Sequence, residues 1–312
     1  MRHFTHIDAS SINEASSLIA GGSSMLIAGG TDLLGTLKDE ILPQYPQQIV
    51  NLKTVDSLDY IKEDGDAIAI GALTKLDTVA NDAMLLERFT ALAEAAGRVS
   101  APTQRHMGTI GGNICQMHRC WYFRAPENRF YCLRKGGDYC PATIGDNRYH
   151  SIFGAEQGCI TASPHDTAPA LIALNATIVT NKTQYVAEDF FAVNGIRSNV
   201  LGDDEIVTEI RIPNTDTKSA FLKHAERKAI DFPIVNCAVA VTGEGTRIAC
   251  GGLFPTPLRM ATAEAEVAGG ISEDSAQRAG DAAVAEAQPF PKNAYKVELA
   301  RALVKRTLLK SV

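Results

Sequence analysis

Cysteine is missing from the first 114 residues of this 312-residue chain. No segment is apolar for long enough to cross a bilayer, because charge or glycine interrupts every run within about ten residues. The N-terminal residues, Met1-Arg2-His3-Phe4-Thr5-His6, lack the apolar run of a secretion signal. That predicts a cytoplasmic chain, unless a partner exports it. Excess basic charge is also lacking: 30 Lys and Arg stand against 36 Asp and Glu, a net charge of −6, with no long basic run. A nucleic-acid backbone demands the opposite sign, so that class of partner is set aside. Internal repeats and low-complexity tracts are absent, and no nucleophile or acid–base dyad stands out. What is there, 45% hydrophobic and 21% charged residues, is the composition of an ordinary globular protein.

The cysteines that are present cluster. Five of the seven, Cys115, Cys120, Cys132, Cys140 and Cys159, fall within 45 residues; Cys237 and Cys250 stand apart on predicted strands as small core residues. An odd count without a signal peptide argues against a disulfide framework, and the clustering argues for metal.

Hydrophobic patterning divides the chain into three regions and predicts an α+β fold. In residues 1–55, strands are expected at Phe4–Ile7, Met25–Ala28 and Ile49–Leu52. A capping box at Ser11–Glu14 opens a helix to Ile19. Residues 56–213 begin with a hairpin turning at Asp64-Gly65, then helices at Lys75–Ala80 and Leu85–Val99. A long Gly-, Arg- and Cys-rich stretch follows, and a structureless loop of that length is uncommon unless it is functional. A helix at Pro164–Leu174 and a strand at Ile206–Ile212 close the region. Residues 218–312 predict three antiparallel strands, Ala220–His224, Val235–Val241 and Arg247–Gly251. Helices follow at Ala261–Ala268, Ser272–Ala287 and Ala294–Leu309.

Two glycine segments have the composition of phosphate-approaching turns. Ile27-Ala28-Gly29-Gly30-Thr31-Asp32 joins a buried strand to a helix start, where backbone N–H groups carry partial positive charge. Gly108-Thr109-Ile110-Gly111-Gly112-Asn113 again combines small residues, a hydroxyl and an amide. Neither is GxGxxG or GxxxxGK[ST], which excludes the usual Rossmann and P-loop fingerprints. The plainer alternative is a pair of tight turns.

Cys120-x11-Cys132-x7-Cys140-x18-Cys159 sets four thiols on irregular backbone. Four thiolates suit a [4Fe–4S] cube. A four-cysteine zinc site is the alternative, although zinc sites usually show closely paired cysteines. A metal-free loop is the third reading. Trp121, Tyr122, Phe123, Arg124, Arg134 and Lys135 are placed to shield a cluster and balance its charge, or to face a partner.

Taken in order, Ala28–Leu34, Gly71-Ala72-Leu73-Thr74, Gly108–Asn113, Ser163–Leu171, Glu205–Pro213 and Gly251–Arg259 make the chain similar to the FAD-binding medium subunits of the xanthine dehydrogenase and carbon monoxide dehydrogenase family. The resemblance is collinear and covers nearly the whole chain. It implies two FAD-binding subdomains of the vanillyl-alcohol-oxidase type, and a small C-terminal domain with a three-stranded antiparallel sheet and helices. It implies that Ala28, Gly29, Gly30, Thr31 and Asp32 meet the pyrophosphate, with Leu26 and Ile27 near the adenosine. Thr109, Gly112 and Asn113 would add phosphate or ribitol contacts. Ser163 and Asp166 would lie at the adenine, ribose and phosphate end, and Ile206 and Lys223 near adenine or flavin. A solvated strand edge is the plainer place for Lys223.

Most members of that family pass directly from Gly-Gly-Asn to Ser-Pro. The insertion here, at about 115–159, resembles that of 4-hydroxybenzoyl-CoA reductase and of periplasmic aldehyde oxidoreductases in Arg119–Tyr122 and Tyr131–Cys140. It implies a [4Fe–4S] cluster on Cys120, Cys132, Cys140 and Cys159, with Cys115 left out as an ordinary buried residue. The family implies an electron-transfer flavoprotein: a large molybdenum-cofactor subunit would turn over an aromatic CoA thioester, aldehyde or heterocycle. A small [2Fe–2S] subunit would complete a doubled heterotrimer, served by an external electron carrier. The alternatives are a self-contained FAD-dependent oxidoreductase, which needs a larger substrate domain, and a metal-stabilised scaffold without redox function.

Overall fold

The computed structural model describes all 312 residues. The chain opens with β1 (Thr5–Asp8), α1 (Ile12–Ile19), β2 (Ser24–Ile27), α2 (Leu33–Lys38) and β3 (Gln48–Asn51). The strands form a parallel sheet in the order β1-β3-β2. Ser11 caps α1 by accepting from the Glu14 N–H at 3.2 Å, as its sequence pattern predicts.

The second sheet is antiparallel and five-stranded. It takes β4 (Ile61–Asp64) and β5 (Ala67–Gly71) from one side of the cysteine-rich stretch. From the other side come β6 (Thr177–Thr180), β7 (Gln184–Val186) and β10 (Val207–Pro213), in the order β4-β5-β10-β6-β7. The long insertion is thus held at both ends by one sheet. Two helices, α4 (Ala83–Arg88) and α5 (Thr90–Gly97), stand where one was expected after α3 (Leu76–Asn81). The break is at Phe89, whose φ of −134° leaves the helical region while its ring is fully buried. A short helix, α6 (Pro102–Arg105), precedes the second glycine segment, and another, α7 (Ile110–Ile114), takes in its second half. Beyond the insertion, α8 (Thr167–Ala173) and α9 (Ala187–Phe190) precede a small hairpin, β8 (Phe191–Asn194) with β9 (Arg197–Asn199).

The C-terminal part pairs β11 (Lys218–His224), β12 (Val235–Thr242) and β13 (Gly245–Gly251) antiparallel, as expected. A two-residue fourth strand, β14 (Leu258–Arg259), extends the sheet. Helices α10 (Ala261–Glu266), α11 (Glu273–Ala283) and α12 (Tyr295–Lys310) cover one face. The other face joins the largest core: Phe221, Ala238, Ala240 and Ala249 pack with residues of β5, α5 and α8. No helix is long and apolar enough to cross a membrane.

Candidate cofactor sites

The two glycine segments, 78 positions apart from Gly30 to Gly108 in sequence, meet in space. A Cβ built on Gly29 would lie 2.0 Å from the Met107 carbonyl oxygen, so the first turn rests directly on the main chain leading into the second. Gly30 has a φ of +72°, which favours glycine. The N–H groups of Gly29 through Leu33 have no acceptor in the chain. Five donors at a strand-to-helix turn form an anion-binding arrangement.

The second segment is different. Gly108 donates to Gln104, Ile110 to Thr74, Gly111 to Ala72, Gly112 to the Thr109 hydroxyl and Asn113 to the Thr109 carbonyl. Its main chain is taken up in its own turn, so its offerings are side chains. Thr109 caps α7 and keeps its hydroxyl hydrogen. Asn113 accepts from Thr167 at 2.6 Å, which leaves its NH2 as a donor. Two cations that sequence reading passed over stand beside these turns. Lys53 Nζ lies 3.0 Å from the Ala28 carbonyl, and Lys75 forms a backbone bridge with Thr109. Burial, followed by the charge of Lys75, lowers the Lys53 pKa. Neither lysine has a carboxylate ion-pair partner. Single lysines carry no sequence signal that would have found them.

Asp32 departs from its expected role through its side chain. Its carboxylate faces the insertion, where Arg119 and Arg124 each approach to 2.7 Å and the Met117 N–H donates at 3.0 Å. Only its N–H remains at the turn. Leu26 and Ile27 point to opposite sides of β2. Leu26 and Ala28 pack with Leu73 and the buried Ile206. Ile27 packs with Leu37, Met117 and Phe123.

Arg119 leads from Asp32 into an open groove, where its guanidinium lies 4.4 Å from the centre of the Phe232 ring. Trp121, Tyr149, Ser163, Asp231 and Phe232 also line this groove. Of the residues expected to bind FAD only Ser163 lies on its wall, bonded to His165 at 2.9 Å. Asp166 does not reach it. Lys223 Nζ approaches Asp166 to 2.6 Å, Asn236 adds a bond at 3.0 Å, and both ion-pair side chains are 3% exposed. Lys223 also donates to the Arg98 carbonyl. Burial raises the Asp166 pKa above the usual carboxylate range despite the facing cation. Lys223 is therefore not a solvated edge residue; it ties β11 to α5 and α8.

The four expected cysteine ligands line one small cavity, together with Tyr122, Phe123 and Arg134. Cys132 precedes a 3-10 turn over Leu133–Lys135 and Cys140 another over Pro141–Thr143, so the thiols sit on irregular backbone as predicted. Burial pushes the Cys120 thiol up to about 12 and that of Cys159 up to about 11. The sulfurs do not close on a point: no three His, Cys, Asp or Glu side chains gather around a single ion position. A tetrahedral zinc would need each sulfur at about 2.3 Å from one centre. Four thiols lining one cavity are the donor set that a cluster with one ligand per iron would take. Cys120 and Thr161 belong to this cavity and to the open groove alike. His150 lines the groove, its Nε2 3.2 Å from the Cys120 sulfur. Cys115 packs against the main core instead, and Cys237 and Cys250 face each other, buried, across β12 and β13.

Comparison with known proteins gives matches along nearly the whole chain. The sequence model for the FAD binding domain in molybdopterin dehydrogenase matches residues 2–215, and that for the CO dehydrogenase flavoprotein C-terminal domain matches residues 220–311. The chain is 30% identical over 304 residues to the aldehyde oxidoreductase FAD-binding subunit PaoB of Escherichia coli (strain K12), covering 93% of this chain and 88% of that one. It is 27% identical to the carbon monoxide dehydrogenase medium chain of Hydrogenophaga pseudoflava, covering 96% and 93%. Among solved structures, carbon monoxide dehydrogenase from Hydrogenophaga pseudoflava aligns with a TM-score of 0.77 at 25% identity, over 99% of this chain and 97% of that one. Quinoline 2-oxidoreductase from Pseudomonas putida 86 shares the fold, with a TM-score of 0.74 at 20% identity over 99% and 97%.

Proposed function

Because this chain belongs to the family of FAD-binding subunits of molybdenum hydroxylase-type oxidoreductases, we propose that it holds FAD between its glycine turns and the open groove, and a [4Fe–4S] cluster on Cys120, Cys132, Cys140 and Cys159. The observation that carries this reading is the sharing of Cys120 and Thr161 by the groove and the cysteine cavity. When bound, FAD supplies two-electron exchange and single-electron steps, and a cluster supplies single-electron steps.

Each segment of the chain has its own part. The free N–H groups from Gly29 to Asp32 bond the pyrophosphate, with Lys53 and Lys75 adding positive charge. Thr109 and Asn113 donate from their side chains, while the exposed, side-chain-free Gly112 lets the cofactor approach. Leu26, Ala28 and Ile206 form an apolar wall on the adenosine side. Ser163 and Arg119 orient the flavin end, and Trp121, Tyr149 and Phe232 shield it from water. Asp166 and Lys223 act one layer out, by fixing the wall on which Ser163 stands.

The division into residues 1–55, 56–213 and 218–312 is supported by each part having its own sheet. The family match over residues 220–311 leaves the self-contained flavoenzyme without its substrate domain. Substrate is turned over in a large molybdenum partner, and a small [2Fe–2S] partner relays electrons. The relatives named as FAD-binding subunit and medium chain support such an assembly. Aldehydes, aromatic CoA thioesters and heterocycles are the candidate substrate classes.

Replacing Cys132 or Cys140 by Ser tests the cluster. Each variant is expected to lose iron and acid-labile sulfide while keeping FAD, and Cys115→Ser to lose neither. Four irons retained in Cys132→Ser or Cys140→Ser would remove that ligand from the assignment.

A further inference from the structure

Two adjacent cations in the insertion are buried without an anion. Arg134 is 5% exposed and Lys135 4%. Arg134 donates to the carbonyls of Gly195 and Arg197 and to His118 Nδ1, all neutral acceptors. His118 is fully buried, accepts Ser198 or Arg134 at Nδ1, and meets the Pro255 carbonyl at 2.6 Å through Nε2. Burial and then Arg134 hold its pKa well below normal, so it brings no charge. Lys135 donates to the Asn128 side-chain oxygen at 2.6 Å. Both cations stack on the Phe123 ring, at 5.7 and 5.0 Å. Neither forms an ion pair with a carboxylate, although Arg119 and Arg124, in the same insertion, share Asp32.

Burying a cation without a counter-anion costs several kcal/mol, and here two do so side by side. The only groups beside them that can become anionic are thiols: Arg134 lines one cavity with Cys120, Cys132, Cys140 and Cys159, and Lys135 lies over Phe123 of the same cavity wall, its N–H bonded to the Cys132 carbonyl at 2.8 Å. Neutral thiols would not compensate them; thiolates on a cluster would. Lys135 is held by one hydrogen bond, but Arg134 is fixed by the β8–β9 hairpin and by His118, and also lines the cysteine cavity.

We propose that Arg134 and Lys135 are the charge partners of the cluster: they stabilise its reduced, more negative state and so raise its midpoint potential. This rests on the cluster assignment above. Charge and hydrogen bonding around the sulfurs are general determinants of cluster potential. Arg134 holds the main position, since its side chain lines the cysteine cavity and that of Lys135 does not.

The test is an anaerobic redox titration, followed by electron paramagnetic resonance, of the complex carrying wild-type chain, Arg134→Gln or Arg134→Lys. Iron and acid-labile sulfide are measured on each sample. With the cluster retained, Arg134→Gln is expected to lower the reduced-to-oxidised ratio at fixed potential at least tenfold, a shift of about 59 mV to more negative values for a one-electron couple. Arg134→Lys should recover most of the shift. An unchanged midpoint in Arg134→Gln with the cluster retained overturns the charge role. Wild-type chain without acid-labile sulfide overturns the underlying cluster assignment instead. Should Arg134→Gln fail to retain iron, Lys135→Gln is read by the same criterion: a negative shift supports the proposal, and an unchanged midpoint overturns it.

Discussion

Substituting Gly29 by Ala tests how the cofactor turn is built. The added Cβ would stand 2.0 Å from the Met107 oxygen and 2.7 Å from its carbon, whereas real Cβ contacts essentially never fall below 3.0 Å. The two glycine segments must therefore separate by about 1 Å or more, the difference between 3.0 and 2.0 Å. Both obstructing atoms are backbone, so no side-chain rotation relieves the clash. A displacement of this size misaligns the free N–H groups that follow Gly29. Hydrogen bonds to a charged group are worth roughly 1.5–3 kcal/mol each. Misplacing two of them costs about 3–6 kcal/mol, or roughly a hundred- to ten-thousandfold in FAD affinity. The assay is flavin stoichiometry in the purified complex, with Kd from flavin fluorescence on reconstitution. Gly35→Ala is the control, because nothing lies within 4 Å of a Cβ there. Wild-type FAD affinity in Gly29→Ala would refute the reasoning.

Two further predictions concern buried charge. Lys296 is fully buried, bonded to the His150 and Gly252 carbonyls, and burial pushes its pKa down to about 7. Between about pH 7 and the unfolded lysine value near 10.4, the unfolded state binds more protons, so this residue makes stability rise with pH, by up to about 1.4 kcal/mol per unit. The buried thiols act oppositely, so urea titrations of wild type and Lys296→Met at pH 7.5 and 9.5 isolate the lysine. The rise should be larger in wild type, and equal responses would contradict the assignment. Lys223→Met leaves the buried Asp166 without its cation and should cost about 3–5 kcal/mol in denaturant unfolding while FAD stays bound; loss of flavin at unchanged stability would instead make Lys223 a cofactor ligand.

Elements were legible in the sequence wherever their own pattern specified them. The Ser11 cap fixed the start of α1, and apolar runs marked β2, β3 and the first three strands of the C-terminal sheet, β11 to β13. The break at Phe89 was not legible, since the apolar spacing runs through it and only core packing of the ring turns the chain. The glycine turns and cysteines could be read because their residue types have few other uses at such density. The orientation of Asp32 could not, because Arg124 lies 92 residues further on. Nor could the burial of Arg134, Lys135, Lys223 and Lys296. Charged residues are exposed by default; Arg134, Lys223 and Lys296 are enclosed by groups distant in sequence, and Lys135 by Asn128 and Phe123 of its own irregular loop. The groove was partly hidden for the same reason: its walls come from the insertion, the segment before α8 and the loop between β11 and β12.

Anaerobic purification of the native complex, followed by measurement of iron, zinc, acid-labile sulfide and flavin per copy of this chain after subtraction of its partners' clusters, tests the central claim most directly. The account predicts one FAD with about four irons and four sulfides, the content of one flavin beside one cube. One FAD with zinc and no such sulfide would make the insertion a structural staple, and a chain with neither flavin nor iron would contradict the account as a whole.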